Sequence, residues 1–110
     1  MFTHEELLLF EELKQNENYQ FIRMTDDYFE FRSRNSGHCW IIKKEPGSFE
    51  LRCPYTIYHK HKTSDYYHRH WQTYSVKKCA ESIKDHDDYV MRVKPLFKNN
   101  KHRNTPKYGV

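Results

Sequence analysis

The chain has 110 residues and is 36% hydrophobic but 16% aromatic, with nine Tyr and seven Phe, so we expect one domain with a core of large rings. No run approaches the roughly 20 apolar residues of a membrane span and no segment resembles a signal peptide, which predicts a cytoplasmic protein. Cys39, Cys53 and Cys79 lack a C-x-x-C spacing. This argues against a disulfide framework and a thiolate zinc site, so we expect reduced, at least partly buried thiols.

The formal net charge of +4 is unevenly distributed along the chain. The first 30 residues hold eight acids and two bases, a balance of −6, so the other 80 carry +10. No acid follows Asp88. We therefore predict a single domain over residues 1–95 and a flexible basic tail over 96–110. The positive charge of the tail favours a polyanionic partner. The alternative is that the tail only keeps the protein in solution.

The first predicted element is a helix from His4 to about Gln15, because Thr3 and Glu6 have the spacing of a capping box. Five short, aromatic and β-branched runs follow, at residues 19–24, 28–34, 38–44, 49–62 and 67–74, separated by turn formers. Sequential short strands of this kind pair with their neighbours, which predicts an antiparallel meander. Pro54 inside the fourth run indicates a bulge or bend.

A second predicted helix begins after Ser75, a good N-cap, and Pro95 is expected to end it. Its apolar stripe runs through Val76, Cys79, Ala80, Ile83 and Val90. The predicted fold class is α+β: an N-terminal helix, a meander of about five strands, and a C-terminal helix, with both helices on one sheet face. The predicted core consists of Leu7, Phe10, Leu13, Phe21, Phe31, Ile41, Phe49, Leu51, Ile83 and Val90.

Residues 55–74 form a predicted hairpin with two H-x-H pairs, His59 with His61 and His68 with His70. With the turn centred between residues 64 and 65, His59 opposes His70 and His61 opposes His68, so all four imidazoles share one face. Four neutral imidazoles can bind zinc or another divalent transition metal. The alternative is four exposed or hydrogen-bonded histidines without a cofactor.

The opposite face of this hairpin is predicted to be basic and aromatic. It would carry Tyr58, Lys60, Lys62, Tyr67, Arg69 and Trp71. Together with Lys98, Lys101 and Arg103 of the tail, these residues predict a nucleic-acid interface, because cations neutralise phosphates and rings stack on bases. In the alternative interpretation, Tyr58 and Trp71 are core residues under the second helix.

Catalytic motifs are sparse in the sequence. Its three glycines form no phosphate-binding loop of the P-loop or dinucleotide type, and no glycine-rich element accompanies Ser64 and Asp65 beside His68. We therefore expect a non-catalytic binding protein. A nuclease that uses His61 or His68 as general base stays open as an alternative.

The succession Trp40-Ile41-Ile42, Phe49-Glu50-Leu51, residues 55–62, residues 67–71 and the helix after Ser75 resembles integrase arm-binding and AP2-type DNA-binding domains. In those domains a three-stranded sheet enters a groove of DNA, which implies a nucleic-acid partner. The chain is also similar to small sheet-plus-helix proteins of phages and mobile elements of low-GC bacteria. That likeness implies the alternative function, an inhibitor or adaptor that binds a host protein such as a nucleic-acid-handling defence enzyme.

Overall fold

The computed structural model describes residues 1–45 and 53–98, the last two of them by their backbone only. The helices are α1 (His4–Gln15), α2 (Val76–Asp88) and α3 (Lys94–Lys98), with a π-helical turn (Tyr89–Val93) between the last two. The strands are β1 (Tyr19–Met24), β2 (Tyr28–Ser33), β3 (Cys39–Lys44), β4 (Tyr55–Lys60) and β5 (His68–Thr73). Phe49, Leu51, Lys101 and Arg103, which carry earlier predictions, lie outside the described residues.

The predicted capping box at the start of α1 is confirmed. The Thr3 hydroxyl accepts a hydrogen bond from the Glu6 amide at 3.2 Å, and the Thr3 amide donates to Glu6 Oε1 at 2.6 Å. Glu6 also pairs with Lys44 Nζ at 2.9 Å, at the end of β3. The cap therefore satisfies two free amides of the helix and ties its first turn to the sheet.

The predicted α+β meander is confirmed: the five strands pair antiparallel in the order β1-β2-β3-β4-β5, with both helices packed on the sheet. Because side chains alternate along a strand, each row across the sheet lies on one face. One row on the helix side joins Phe29, Ile42, Ile57 and Trp71 through their pairings, and the next joins Phe31, Trp40, His59 and His68.

The core follows these rows and differs in part from the predicted core. Phe10, Phe31 and Ile83 are buried as predicted, and Leu13, Ile41 and Val90 are partly buried. Leu7 and Phe21, predicted to be buried, are 38% and 39% exposed. Phe21 is exposed because β1 is an edge strand, where its ring lies beside Phe29 but under the solvent-facing Lys14. The largest buried rings of the sheet are instead Phe29, Phe31 and Trp40.

Two prolines carry predictions. The strand begins at Tyr55, just after Pro54, whose carbonyl accepts from the Glu45 amide at 2.8 Å; residues 49–52 of the predicted run lie outside the described residues, so the predicted bend stays a prediction. The helical path continues through Pro95 to Lys98. Pro95 is tolerated there because it lies in the first turn of α3, where a missing N–H costs little. No helix among the described residues has the length and apolar character that crossing a membrane requires.

The β4–β5 hairpin has a different register from the predicted one. His59 pairs with His68 and Tyr58 with Arg69, whereas Ile57 pairs with Trp71, so His70 is the extra residue of a β-bulge. The turn is centred one residue earlier than predicted, and its Asp65 exchanges hydrogen bonds with Lys62 through backbone and side chain. This register moves Trp71 from the predicted basic face to the helix side of the sheet.

A buried carboxylate fixes the end of α2 against the sheet. Asp87 accepts hydrogen bonds from the hydroxyls of Ser33 at 2.5 Å and Ser36 at 2.7 Å. The Ser33 oxygen in turn accepts from the Trp40 indole N–H at 3.0 Å. These bonds orient the last turn of α2 and the Trp40 ring together.

We predict that Asp87→Ala destabilises the fold by about 1–3 kcal/mol, because it leaves two hydroxyls without their acceptor in the interior. Urea unfolding at pH 7.5 measures the change. The neighbouring Asp88→Ala, at a partly exposed position, is the matched control and should stay within about 0.5 kcal/mol of the native chain. Equal effects of the two substitutions would contradict the role assigned to Asp87.

Candidate metal centre

Six histidines gather on the helix side of the sheet, where β3, β4 and β5 meet the last turn of α2. We call them the histidine cluster: His38, His59, His61, His68, His70 and His86. Strand alternation places them there: His59 lies in the row of Phe31 and Trp40, and His68 and His70, two residues apart on β5, lie on the same face. The floor is Trp40, whose ring centroid is 4.3 Å from that of His59.

The cluster contains two sets of three possible metal ligands, and both include His59. The inner group is His38, His59 and His61, and the outer group is His59, His68 and His70. Within each group the possible ligand atoms all lie within 4.8 Å of one another. The four histidines predicted from the sequence therefore share a face, but they are divided between two groups.

His38 and His59 are in direct contact through their ring nitrogens. His38 Nδ1 and His59 Nε2 are 2.8 Å apart, so one ring donates its proton to the lone pair of the other. His59 is only 2% exposed. A neutral imidazole has one donor and one acceptor nitrogen, whereas a protonated ring has two donors, so this contact requires at least one of the two rings to be neutral.

Burial favours the neutral form of five of these imidazoles, those of His38, His59, His61, His70 and His86. It lowers the pKa of His59 to about 2 and of His38 and His86 to about 4, and the charges of neighbouring imidazoles lower each further. The pKa values of His61 and His70 are lowered for the same reasons. Lys94 on α3 adds a positive charge near His38, His61 and His86. At neutral pH the rings therefore have lone pairs, which a metal ion requires.

His86 has an unfilled hydrogen-bonding position. Among the described residues, its Nε2 is the buried side-chain nitrogen or oxygen that lacks a hydrogen-bond partner. Its ring centroid is 4.8 Å from that of His59 and 5.3 Å from that of His70. An unpaired buried nitrogen costs about 1–3 kcal/mol, which a bound ion would offset.

Sequence reasoning missed His38 and His86, although each has a detectable signal. His38 shares the two-residue alternation of Trp40 and Ile42, which places it on the core face of β3. His86 follows Cys79 and Ile83 at helical spacing, in line with the apolar stripe of α2. Attention to the hairpin alone hid both residues, because they reach the cluster from separate elements.

The predicted nucleic-acid residues are only partly brought together. Tyr58, Lys60 and Arg69 lie on the open face of the sheet, on the side away from the helices, and Tyr67 reaches over this face to Glu30. Lys62 is exposed in the β4–β5 turn. Trp71 is neither on this face nor core, since it is 56% exposed on the helix side. Lys98 ends α3, and the other two tail cations lie outside the described residues.

Two glutamates engage most of the open-face groups. Glu45 accepts a hydrogen bond from the Tyr58 hydroxyl at 2.7 Å, and this hydrogen bond raises the pKa of Tyr58. The Glu45 carboxylate also lies 3.7 Å from the Arg69 guanidinium. Glu30 accepts from the Tyr67 hydroxyl at 2.8 Å, and the Lys60 ammonium lies over the Tyr67 ring at 4.4 Å. The tyrosine rings and the cations of this face are therefore fixed in place by contacts with Glu30 and Glu45 and with each other.

Compared with known proteins, the chain matches no protein-family model, no curated protein and no solved structure. The three cysteines are free thiols; Cys39 and Cys79 are buried and Cys53 is partly so, as predicted. The fold and site together define a small α+β domain built around a cluster of neutral imidazoles.

We predict that the free energy of unfolding decreases as the pH falls from about 6.5 towards 4. In this pH range the histidines of the unfolded chain are protonated, whereas the buried imidazoles of the folded chain stay neutral. Each such histidine therefore lowers the free energy of unfolding by about 1.4 kcal/mol per pH unit. Above pH 6.5 both states are deprotonated and the contribution is flat. Burial raises the pKa of Asp87, which acts in the opposite direction and is common to all variants compared.

Urea unfolding between pH 4.5 and 7.5 measures this dependence. The double substitution His38→Gln with His86→Gln should make it shallower, whatever its effect on stability at pH 7.5. Substitution of the exposed His4 by Gln is the matched control and should leave the slope unchanged. A double variant as acid-sensitive as the native chain would contradict the prediction.

Proposed function

We propose that the protein binds a divalent transition-metal ion of the zinc class through the histidine cluster. The observation that carries the proposal is the inner group, in which three imidazoles, one just before β3, one in β4 and one just after β4, converge within 4.8 Å. The register that pairs Trp40 with His59 also sets His38 opposite His61, and two of the three rings are buried. Buried titratable side chains with strongly shifted pKa values that cluster in this way mark a candidate functional site.

The ligand type selects the class of ion. Both groups consist of imidazoles alone, without a carboxylate or thiolate. Imidazole suits zinc, copper and nickel, whereas magnesium and calcium require oxygen ligands. We therefore propose zinc or a neighbouring ion of the Irving–Williams series, and not a hard cation.

The inner group requires a small adjustment to hold zinc. Tetrahedral bonds of about 2.0–2.1 Å place neighbouring ligand nitrogens about 3.3 Å apart. The 2.8 Å contact between His38 and His59 must therefore lengthen by about half an ångström, and His61 must move inward. His86 is the proposed fourth ligand, because its Nε2 has no partner among the described residues and its ring borders that of His59.

Isothermal titration of the full chain with zinc chloride at pH 7.5 tests the proposal. We expect one ion per chain, and His61→Ala should weaken binding by more than the roughly 10–100-fold that loss of an outer-shell partner costs. Lys94→Met should tighten binding, since it removes a positive charge beside the site. The exposed His4→Ala is the control with native affinity. The proposal fails if the native chain takes up no zinc.

A second proposed function is nucleic-acid contact through the open face, in the cytoplasm, where free thiols stay reduced. The observation that favours it is a surplus of cations on this face over Glu30 and Glu45. The cations are Arg23, Arg32, Lys43, Lys60 and Arg69. Because two acids cannot neutralise five cations, a phosphate backbone would find positive charge here.

Salt-dependent binding to duplex DNA tests this second function. Lys60→Glu with Arg69→Glu should weaken binding to every sequence and reduce the slope of log K against log[salt], which is about −0.9 per phosphate neutralised. The matched control, Lys77→Glu with Lys84→Glu, makes the same charge change on the exposed side of α2. If native protein binds neither DNA nor RNA at low salt, the remaining proposal is an inhibitor or adaptor that contacts a host protein through the acidic α1.

A further inference from the structure

The histidine cluster has a gradient of exposure from solvent to core. His68 and His70 on β5 are exposed, His61 is half-buried, and His38 and His59 are buried. The inner and outer groups therefore differ in access to water, although each supplies three imidazoles. An ion that arrives from solution meets the outer group first.

His59 belongs to both groups, and this limits the cluster to one ion at a time. A neutral imidazole has a single lone pair, since its other ring nitrogen carries the proton. His59 therefore cannot ligate an inner and an outer ion together without losing that proton. The two groups are alternative seats for the same ion.

We propose, on the basis of the metal-binding function above, that the outer group is a second metal site and serves as the entry port. The ion binds first to His68, His70 and His59 and then passes to His38 and His61 while His59 stays bound. His59 thus acts as the pivot between an exposed seat and a buried one.

The local structure of β5 suits an entry port. His68 and His70, two residues apart on β5, lie on the same face and both approach His59, with ring centroids 5.4 and 5.1 Å away, and the bulge at His70 brings Trp71 to this face as well. A cleft of about 310 Å³ opens beside His70, between Trp71 on β5 and Asp85 and His86 on α2. The exposed Asp85 carboxylate supplies negative charge where a cation would enter.

The transfer is a ligand exchange that balances without an additional reactant. The bonds from the ion to the His68 and His70 nitrogens break, and bonds to the His38 and His61 nitrogens form. His59 holds the ion through its Nε2 lone pair in both sites, so the proton of the His38–His59 contact lies on His38 Nδ1. It moves through water to His38 Nε2, which frees Nδ1 for the ion and leaves both imidazoles neutral. No charge other than that of the ion is brought into the core.

Stopped-flow mixing with cobalt(II) and an EDTA chase test the entry port. Binding is followed by quenching of tryptophan fluorescence, since the Trp40 ring lies 4.3 Å from His59. Residues of the outer group hold the ion only on its way to the inner group. His68→Ala and His70→Ala should therefore lower the association rate and the dissociation rate alike, by about tenfold. Their dissociation constants should stay within about threefold of the native value, because equal changes in both rates cancel.

The inner variants should show the converse pattern. His38→Gln and His61→Ala should leave the association rate within about threefold and raise the dissociation rate by about 100-fold or more. His59→Ala should abolish cobalt binding, because His59 belongs to both groups. Circular dichroism and melting curves show which variants are folded. If His68→Ala and His70→Ala weaken equilibrium binding as much as the inner variants do, the port proposal is overturned while metal binding stands. Absence of cobalt binding to the native chain would overturn both.

Discussion

A buried imidazole has to remain uncharged and find partners for its ring nitrogens, and His59 is the residue on which this constraint falls. It lies near the end of β4, between the Trp40 ring and five other imidazoles. A charge there would be far from water and surrounded by groups that gain charge under the same conditions. The buried imidazoles therefore remain neutral because water is excluded from the centre of the cluster.

The rest of the fold maintains that dry centre. The row of Phe31, Trp40 and His59 continues the apolar core without interruption, so the cluster is an extension of the core and not a surface patch. Asp87 holds the last turn of α2 to Ser33 and Ser36, which keeps the adjacent His86 against the sheet. Through Ser33 the same carboxylate also fixes the Trp40 indole. One buried hydrogen-bond network thus supports both the floor and one side of the site.

The two faces of the sheet separate two kinds of chemistry. On the helix side, neutral nitrogens are concentrated, the buried Asp87 carboxylate is bonded to the Ser33 and Ser36 hydroxyls, and Asp85 lies beside the cleft. On the open face, Glu30 and Glu45 pair with tyrosines and with Arg23 and Arg69 across strands, which leaves a surplus of positive charge. A metal function on the first face and a polyanion function on the second do not compete for residues, because strand alternation assigns each side chain to one face.

Local sequence signals determined most of the architecture. The capping box set the start of α1, turn formers divided the strands, and the stripe through Cys79 and Ile83 set the buried side of α2, because each signal acts within a few residues. Alternation also predicted that His59, His61, His68 and His70 share a face. Tertiary structure alone decided the hairpin register, the exposure of Trp71 and the arrival of His38 and His86, since these depend on where a turn closes and how a distant helix docks. Residues 38, 59 and 86 meet only after β3, β4 and α2 have packed, and no short-range pattern encodes that distance.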